Sequence, residues 1–360
     1  MSTAASEGGG GWVSTVTIAE AAAWLSRCRR VVVTTHMKPD GDAAGSAVGL
    51  VRALAAKGIA ARAWFAGPLP GWLAWFAGET GFGAWERDGA PADEPDGVVV
   101  VDTGSWTQLE AQAPWLRGRG GKTLVIDHHR RGDADVGERR VIETAKAAAC
   151  QPVAALCAAL LGVEASRLPV GVAQALYLGL ATDTGWFRHS NVSPEVMRLA
   201  ASLLEAGADA EALYRNIEQQ NTAARFRLMA RALASLELAG GGRVGVISLT
   251  AKDFKEAGAS ADESGGFIDL PQTIGSVEVS VLLTEGEPEA GAAGGGGIEG
   301  GGVGGGVVTK VSLRSKTDAV DVDLVARTMG GGGHKRAAGA KVRAGLAEAR
   351  TRVLAALGVS

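Results

Sequence analysis

Cysteine is scarce in this sequence. Cys28, Cys150 and Cys157 are the only three in 360 residues, and no two stand in C-x-x-C spacing. That excludes a disulfide framework and a thiolate zinc site, and it points to reduced thiols in a cytoplasmic protein. An excess of basic charge is also lacking. The formal net charge is −3, which gives no global field for holding long nucleic acid, so any nucleic-acid ligand is expected to be short and held in a local pocket. The first residues, Met1–Gly11, lack a basic start followed by an apolar stretch, and they read as something other than a signal peptide. The most apolar run, Ala147–Leu161, is interrupted by Gln151 and Pro152 and falls short of a bilayer span. Two tyrosines against nine tryptophans read as core and surface filling, not as a base-stacking platform.

What is present suits a globular chain with room for two domains, at 46% hydrophobic and 21% charged residues. In the first half, Val31–Thr35, Gly97–Val101 and Lys122–Ile126 are short, valine-rich and followed by polar residues, which predicts buried strands. Helical patterns lie over Ala43–Lys57, Pro152–Leu161 and Val170–Ala181, the first two stopped by Gly58 and Gly162. Alternation of this kind predicts an α/β domain with a doubly wound, mainly parallel sheet, whose ligands collect at the carboxyl ends of the strands. Pro194–Leu238 reads as helical with one break near Gly207. Beyond it, strands over Arg243–Leu249, Val277–Leu283 and Val307–Leu313, with helices over Val320–Met329 and Ala344–Leu357, predict a smaller α/β domain. The expected organisation is a first domain over 15–205, a helical connector over 206–240 and a second domain over 241–358. Within the second, Ala290–Gly306 is mostly glycine and reads as a loop between strands.

Chemistry-bearing residues gather where such a sheet places ligands. His36, Asp40 and Asp42 form an H-x-x-x-D-x-D run after the first strand, Asp102 follows the second, and Asp127-His128-His129 follows the third. Asp183 closes a later apolar run. Of five histidines, three fall in these motifs, which points to metal ligation or proton transfer.

This order of motifs resembles the DHH phosphoesterases. The second half agrees: Val311-Ser312-Leu313-Arg314-Ser315, then Gly330–Gly333 with His334, then Ala337-Ala338-Gly339, look like the DHH-associated domain. The likeness spans residues 20 to 345, and within the family the motif set is most similar to the stand-alone NrnA-type nano-RNase/pAp-phosphatase group. It implies two divalent metal ions, manganese first and magnesium as the alternative, one held by His36, Asp40 and Asp102, the other by Asp42, Asp102, His128 and Asp183. Asp102 would bridge them. Asp127 would orient a histidine through its ring nitrogen, and His129 would face the phosphoryl group. Arg314, Ser315, Gly331, Gly332, Gly333 and His334 would bind the nucleotide that does not react, the glycines through their backbone amides. Metals on one domain and a nucleotide clamp on the other would favour short RNA, dinucleotides or pAp over long duplexes, with no membrane involved and a homodimer as the assembly to look for.

Three readings follow from these residues: hydrolysis of nano-RNA and pAp, cleavage of cyclic di-AMP or its linear product, and a non-catalytic nucleotide-binding protein on the same fold. The full ligand set argues against the last. One departure from the family stands out. Ala147-Ala148-Ala149-Cys150-Gln151-Pro152 lacks the hydroxyl-rich stretch of relatives.

Overall fold

The computed structural model describes residues 11–286 and 307–359, so the glycine-rich segment 290–306 lies outside the described residues. Two compact units divide between Gln220 and Asn221, inside the stretch expected as a helical connector.

The first unit runs α1 (Ile18–Leu25), β1 (Arg30–Thr34), α2 (Gly41–Ala56), β2 (Ala60–Phe65), α3 (Leu73–Ala77), β3 (Phe82–Ala84), α4 (Trp85–Asp88), β4 (Gly97–Val101), α5 (Ala113–Leu116), β5 (Thr123–Asp127), β6 (Arg139–Ile142), α6 (Cys150–Leu161), α7 (Val170–Asp183), α8 (Pro194–Glu205) and α9 (Ala210–Ile217). The sheet order is β3-β2-β1-β4-β5-β6 and every pairing is parallel. β4 and β5 are buried end to end. Their side chains alternate between two cores: Val99, Val101, Leu124 and Ile126 enter one, and Val98, Val100 and Val125 the other. Covering both faces is what a continuous valine run requires.

Strand order reverses between β1 and β4, because the chain first builds outward through β2 and β3 and then returns to the other side of β1. A parallel sheet opens a crevice at that point. The loops leaving β1 and β4 carry His36 and Asp102, so the expected ligands stand on both sides of it.

The second unit contains α10 (Ala223–Ala234), β7 (Glu237–Ala239), β8 (Val244–Leu249), α11 (Ala251–Ala257), β9 (Val279–Glu285), β10 (Thr309–Ser315), α12 (Val322–Arg327), β11 (Gly332–His334), β12 (Ala337–Val342) and α13 (Leu346–Ala356). Its sheet order is β11-β12-β10-β9-β8-β7, antiparallel except between β8 and β9. Val281, Leu283, Val311 and Leu313 pack in one core with α12 and α13, while Ile247, Leu249 and Leu282 meet α10 in another.

One expectation needs correction. The stretch Pro194–Leu238 is three helices, not one with a single break. A second interruption falls at 218–222, where Thr222 caps α10, and Leu238 lies in strand β7. Within the glycine-histidine motif, Gly332–His334 pairs antiparallel with β12 as an edge strand.

Candidate active site

The site starts from helix packing. Gly41, Gly45 and Gly49 lie one turn apart on α2 and face α7. A Cβ at Gly45 would stand 2.5 Å from the Ala175 carbonyl oxygen, and one at Gly41 would run into Thr182. Only glycine lets these backbones come so close. The reciprocal position, Gly179 on α7, would place a Cβ 2.7 Å from Asp42 Oδ1. This antiparallel pair brings Asp42, on the first turn of α2, near Asp183, the last residue of α7. Asp40 caps α2, accepting the amides of Asp42 and Ala43 at 3.0 Å each.

Asp102 follows β4 with a left-handed backbone, φ 60, and is 3% exposed. Its two oxygens face different histidines: Oδ2 lies 3.4 Å from His36 Nε2, and Oδ1 lies 3.3 Å from His128 Nε2. His36 Nε2 also lies 3.9 Å from Asp40, and His128 Nε2 3.7 Å from Asp183. Both rings are turned by their other nitrogen. His36 Nδ1 donates to the Met37 carbonyl at 2.9 Å, and His128 Nδ1 to that of Lys146 at 3.3 Å. A proton on Nδ1 leaves the Nε2 lone pair for a metal.

Asp42 is buried, and the start of α6 serves it: the amides of Ala149 and Cys150 donate to its two oxygens at 2.5 and 2.9 Å. This is the role of the segment that departs from the family pattern. Its backbone, and not its side chains, positions the Asp42 carboxylate, which is why no side-chain pattern announced it.

Burial pushes the Asp42 carboxyl well above its usual range, helped by Asp102 and Asp183. Burial likewise raises Asp183, to about 6. Burial alone would depress His36 and His128, but Asp102 and its acidic neighbours outweigh it and push both up to about 9. Asp102 itself is held low, since His128 and His36 overcome its burial.

These residues fit a pair of divalent cations. Three groups can each converge on one ion: His36, Asp40 and Asp102; Asp42, His128 and Asp183; and Asp102, His128 and His129. Asp102 Oδ1 is buried without a hydrogen-bond partner among the described residues. Three carboxylates crowd a site too dry to keep them all ionised, and added positive charge is the remedy. Imidazole and carboxylate together suit first-row divalent ions.

All eight residues expected in the first unit meet here. Asp127 is fully buried, and its Oδ1 accepts from the amides of His128 and His129 and, at 2.8 Å, from His129 Nδ1. That contact raises the His129 pKa above its usual value. Trp12 adds support that the motifs did not reveal. Its indole N–H donates to the His129 carbonyl at 3.0 Å, and its ring fills the space left by Gly104 and Gly132.

In the second unit, Arg314 and His334 both pair with Ala337, one through β10 and the other through β11. Directly paired residues face the same side, so the two lie in one row, two strand spacings or about 10 Å apart. Of the amides expected to form a cradle, those of Gly331 and Gly333 are engaged within the unit. The amides of Gly330, Gly331 and Gly333 donate to Arg327, to Ala326 and to the Asp323 carboxylate. Their lack of side chains serves packing, since a Cβ at Gly331 would lie 2.1 Å from the Gly339 oxygen. The Ser315 hydroxyl donates inward to Thr317 at 2.7 Å.

A parallel sheet whose switch point carries paired His/Asp groups sharing one aspartate is the arrangement of the DHH phosphoesterases. The model of the DHH family N-terminal domain matches residues 30–180 and that of the DHHA1 domain residues 241–358, and the chain belongs to the DHH family. The chain is 34% identical over 329 residues to the Thermus thermophilus protein named bifunctional oligoribonuclease and PAP phosphatase NrnA, covering 91% of this chain and 89% of the relative. It is 28% identical over 313 residues to a Streptococcus mutans protein named probable bifunctional oligoribonuclease and PAP phosphatase NrnA, covering 86% and 88%. In fold it matches the crystal structure of an exopolyphosphatase-related protein from Bacteroides fragilis, with a TM-score of 0.78 at 24% identity over 95% of each chain. No helix among the described residues is long and apolar enough to cross a membrane.

Proposed function

We propose that this protein is a two-metal phosphoesterase that hydrolyses short oligoribonucleotides and removes the 3′-phosphate of pAp. The observation that carries the reading is the placement of Asp102, which offers one oxygen to each of two His/Asp groups. The likeness to the two relatives named oligoribonuclease and PAP phosphatase supports the choice of substrate.

His36, Asp40 and Asp102 would hold one ion, and Asp42, His128, Asp183 and Asp102 the other, with manganese the first choice and magnesium the second. Such a pair supplies an activated water and neutralises phosphoryl charge. The protein's own part is orientation and proton handling. Asp127 fixes the His129 ring through Nδ1, which leaves Nε2 to donate to a phosphoryl oxygen or to protonate the leaving oxygen. Asp40 and the amides of Ala149 and Cys150 hold α2 and Asp42 in register. In the second unit, Arg314 and His334 hold the nucleotide that does not react, the guanidinium by pairing with phosphate or stacking on a base. Three buried free thiols suit a reducing, cytoplasmic setting.

The test is incubation with manganese and labelled RNAs from dinucleotide to long strand, together with pAp and cyclic di-AMP. Rapid loss of the shortest RNAs and of pAp is expected. Preferential opening of cyclic di-AMP would replace this reading with the cyclic-dinucleotide one, and absence of turnover on all would overturn it in favour of a binding protein.

A further inference from the structure

Beside the His/Asp groups the first unit has a polar cavity, of about 320 Å³, between the loops that leave β4 and β5. Thr103, Ser105 and Thr107 line one wall, and His129, Arg130 and Arg131 the other. The placement follows from the sheet: β4 and β5 are paired in parallel, so their following loops face each other at the carboxyl edge. Thr103 directly follows Asp102, and His129 Nδ1 lies 3.8 Å from Asp102 Oδ1, so the cavity adjoins the candidate metal groups.

Its charge is what singles it out. Arg130 and Arg131 are exposed, and neither has an ion pair or side-chain hydrogen bond among the described residues. Exposed arginines without such partners occur elsewhere in the unit, Arg198 among them, but Arg130 and Arg131 are set apart by lining one cavity together. Asp127 borders the same cavity; its Oδ1 is engaged by His129, and its Oδ2 is buried without a hydrogen-bond partner among the described residues. The Thr103 hydroxyl donates to Gln108 Oε1 at 2.6 Å, and the Ser105 and Thr107 hydroxyls bond each other at 2.9 Å, which leaves one hydroxyl of that pair to donate into the cavity. Two guanidinium groups without protein partners opposite it match a phosphate better than a carboxylate or a sugar, because guanidinium binds phosphate oxygens bidentately. A terminal phosphomonoester carries close to two negative charges at neutral pH, against one for a diester.

We propose that this cavity is a second phosphate subsite, which takes a terminal phosphomonoester of the substrate while the scissile phosphate lies at the neighbouring His/Asp groups. This inference rests on the phosphoesterase reading of that centre and deepens it. The protein would then select short nucleotides that carry two phosphates, such as a 5′-phosphorylated dinucleotide or a nucleoside bisphosphate, over the same molecule with one.

The test compares kcat/KM for a 5′-phosphorylated dinucleotide and its unphosphorylated twin in the full-length protein with manganese. The double variant Arg130→Ala/Arg131→Ala is measured beside Arg198→Ala, an exposed arginine on α8. The wild type and Arg198→Ala should prefer the phosphorylated substrate by about a hundredfold, and the double variant should lose about tenfold or more of that ratio. An unchanged ratio in the double variant would overturn the subsite, as would a wild type without preference. Calorimetric titration with inorganic phosphate keeps this apart from the functional reading. If the wild type hydrolyses nothing, the phosphoesterase reading fails, yet about tenfold weaker phosphate binding by the double variant still supports an anion site here. Equal phosphate binding by both proteins would remove it.

Discussion

His129 Nδ1 donates to Asp127 Oδ1 at 2.8 Å, and the same carboxylate oxygen receives the amides of both His128 and His129. One buried aspartate therefore sets both the path of the backbone and the angle of the ring. His129 is half exposed; its ring also lies 4.5 Å from that of His128, but its hydrogen bond among the described residues is to Asp127.

Asp127→Asn keeps the shape and removes the charge. Its oxygen can still accept an amide, while the imidazole loses its ionic partner and the tautomer it enforced. We expect kcat to fall about 10- to 100-fold with KM little changed, measured on a phosphorylated dinucleotide. An undiminished kcat would remove His129 from proton transfer.

Asp102→Ala deletes the carboxylate that faces both His36 and His128 and that we propose as the shared metal ligand. Turnover should fall by on the order of 10² to 10³ or more, and the manganese-induced rise in Tm should largely vanish. Metal counting by mass spectrometry provides the check: retention of two ions per chain would exclude Asp102 as the bridge.

Metal binding should release protons. Without metal, His36 and His128, both pushed up to about 9, carry protons across the neutral range. Ligation needs their lone pairs, so affinity should rise with pH and level off above about 9, with at least about two protons released at neutral pH. The metal-free protein should show the opposite slope in stability. The imidazolium contacts with Asp102 contribute fully below the ordinary histidine value of 6.5 and are lost as pH rises through about 9. Asp183 acts in the same direction at lower pH, because its folded form holds a proton up to about 6 that the unfolded chain loses near 3.8. Calorimetry in buffers of different ionisation enthalpy tests the first claim, and chelator-treated melting between pH 6 and 10 the second. Buffer-independent heats would refute the proton release.

Gly179→Ala should link packing to chemistry. The new methyl would meet Asp42 Oδ1 at 2.7 Å and the Cys150 Cβ at 3.0 Å. Asp42 cannot yield without giving up the amides of Ala149 and Cys150. Stability should drop by about 1–3 kcal/mol, and manganese affinity should fall with it. Loss of stability with metal affinity intact would show that α7 shifts while the ligand stays.

His334→Ala, on an exposed edge strand, should raise KM for a dinucleotide several-fold and leave hydrolysis of a small generic phosphodiester nearly unchanged. Equal losses on both substrates would contradict a nucleotide-holding role for this row.

The sequence by itself determined the central strands, because Val98–Val101 and Leu124–Ile126 are buried on both faces and need no partner-specific information to read as such. It also placed the His and Asp residues proposed as metal ligands at one edge, since a parallel sheet puts the residue after each strand there. The peripheral strands were another matter. β2 begins Ala-Ala-Arg-Ala, β3 has three residues, and β6 carries two arginines, so only pairing beside an existing strand makes them strands. Likewise, glycines at Gly331 and Gly333 suggested open amides, and only the neighbouring β12 showed them to be close-packing positions. The service of Asp42 by backbone amides, the support of His129 by Trp12 and the unpartnered arginines at the polar cavity belong to tertiary structure alone. Backbone donors carry no side-chain signature, and contacts across a hundred residues leave none in local spacing.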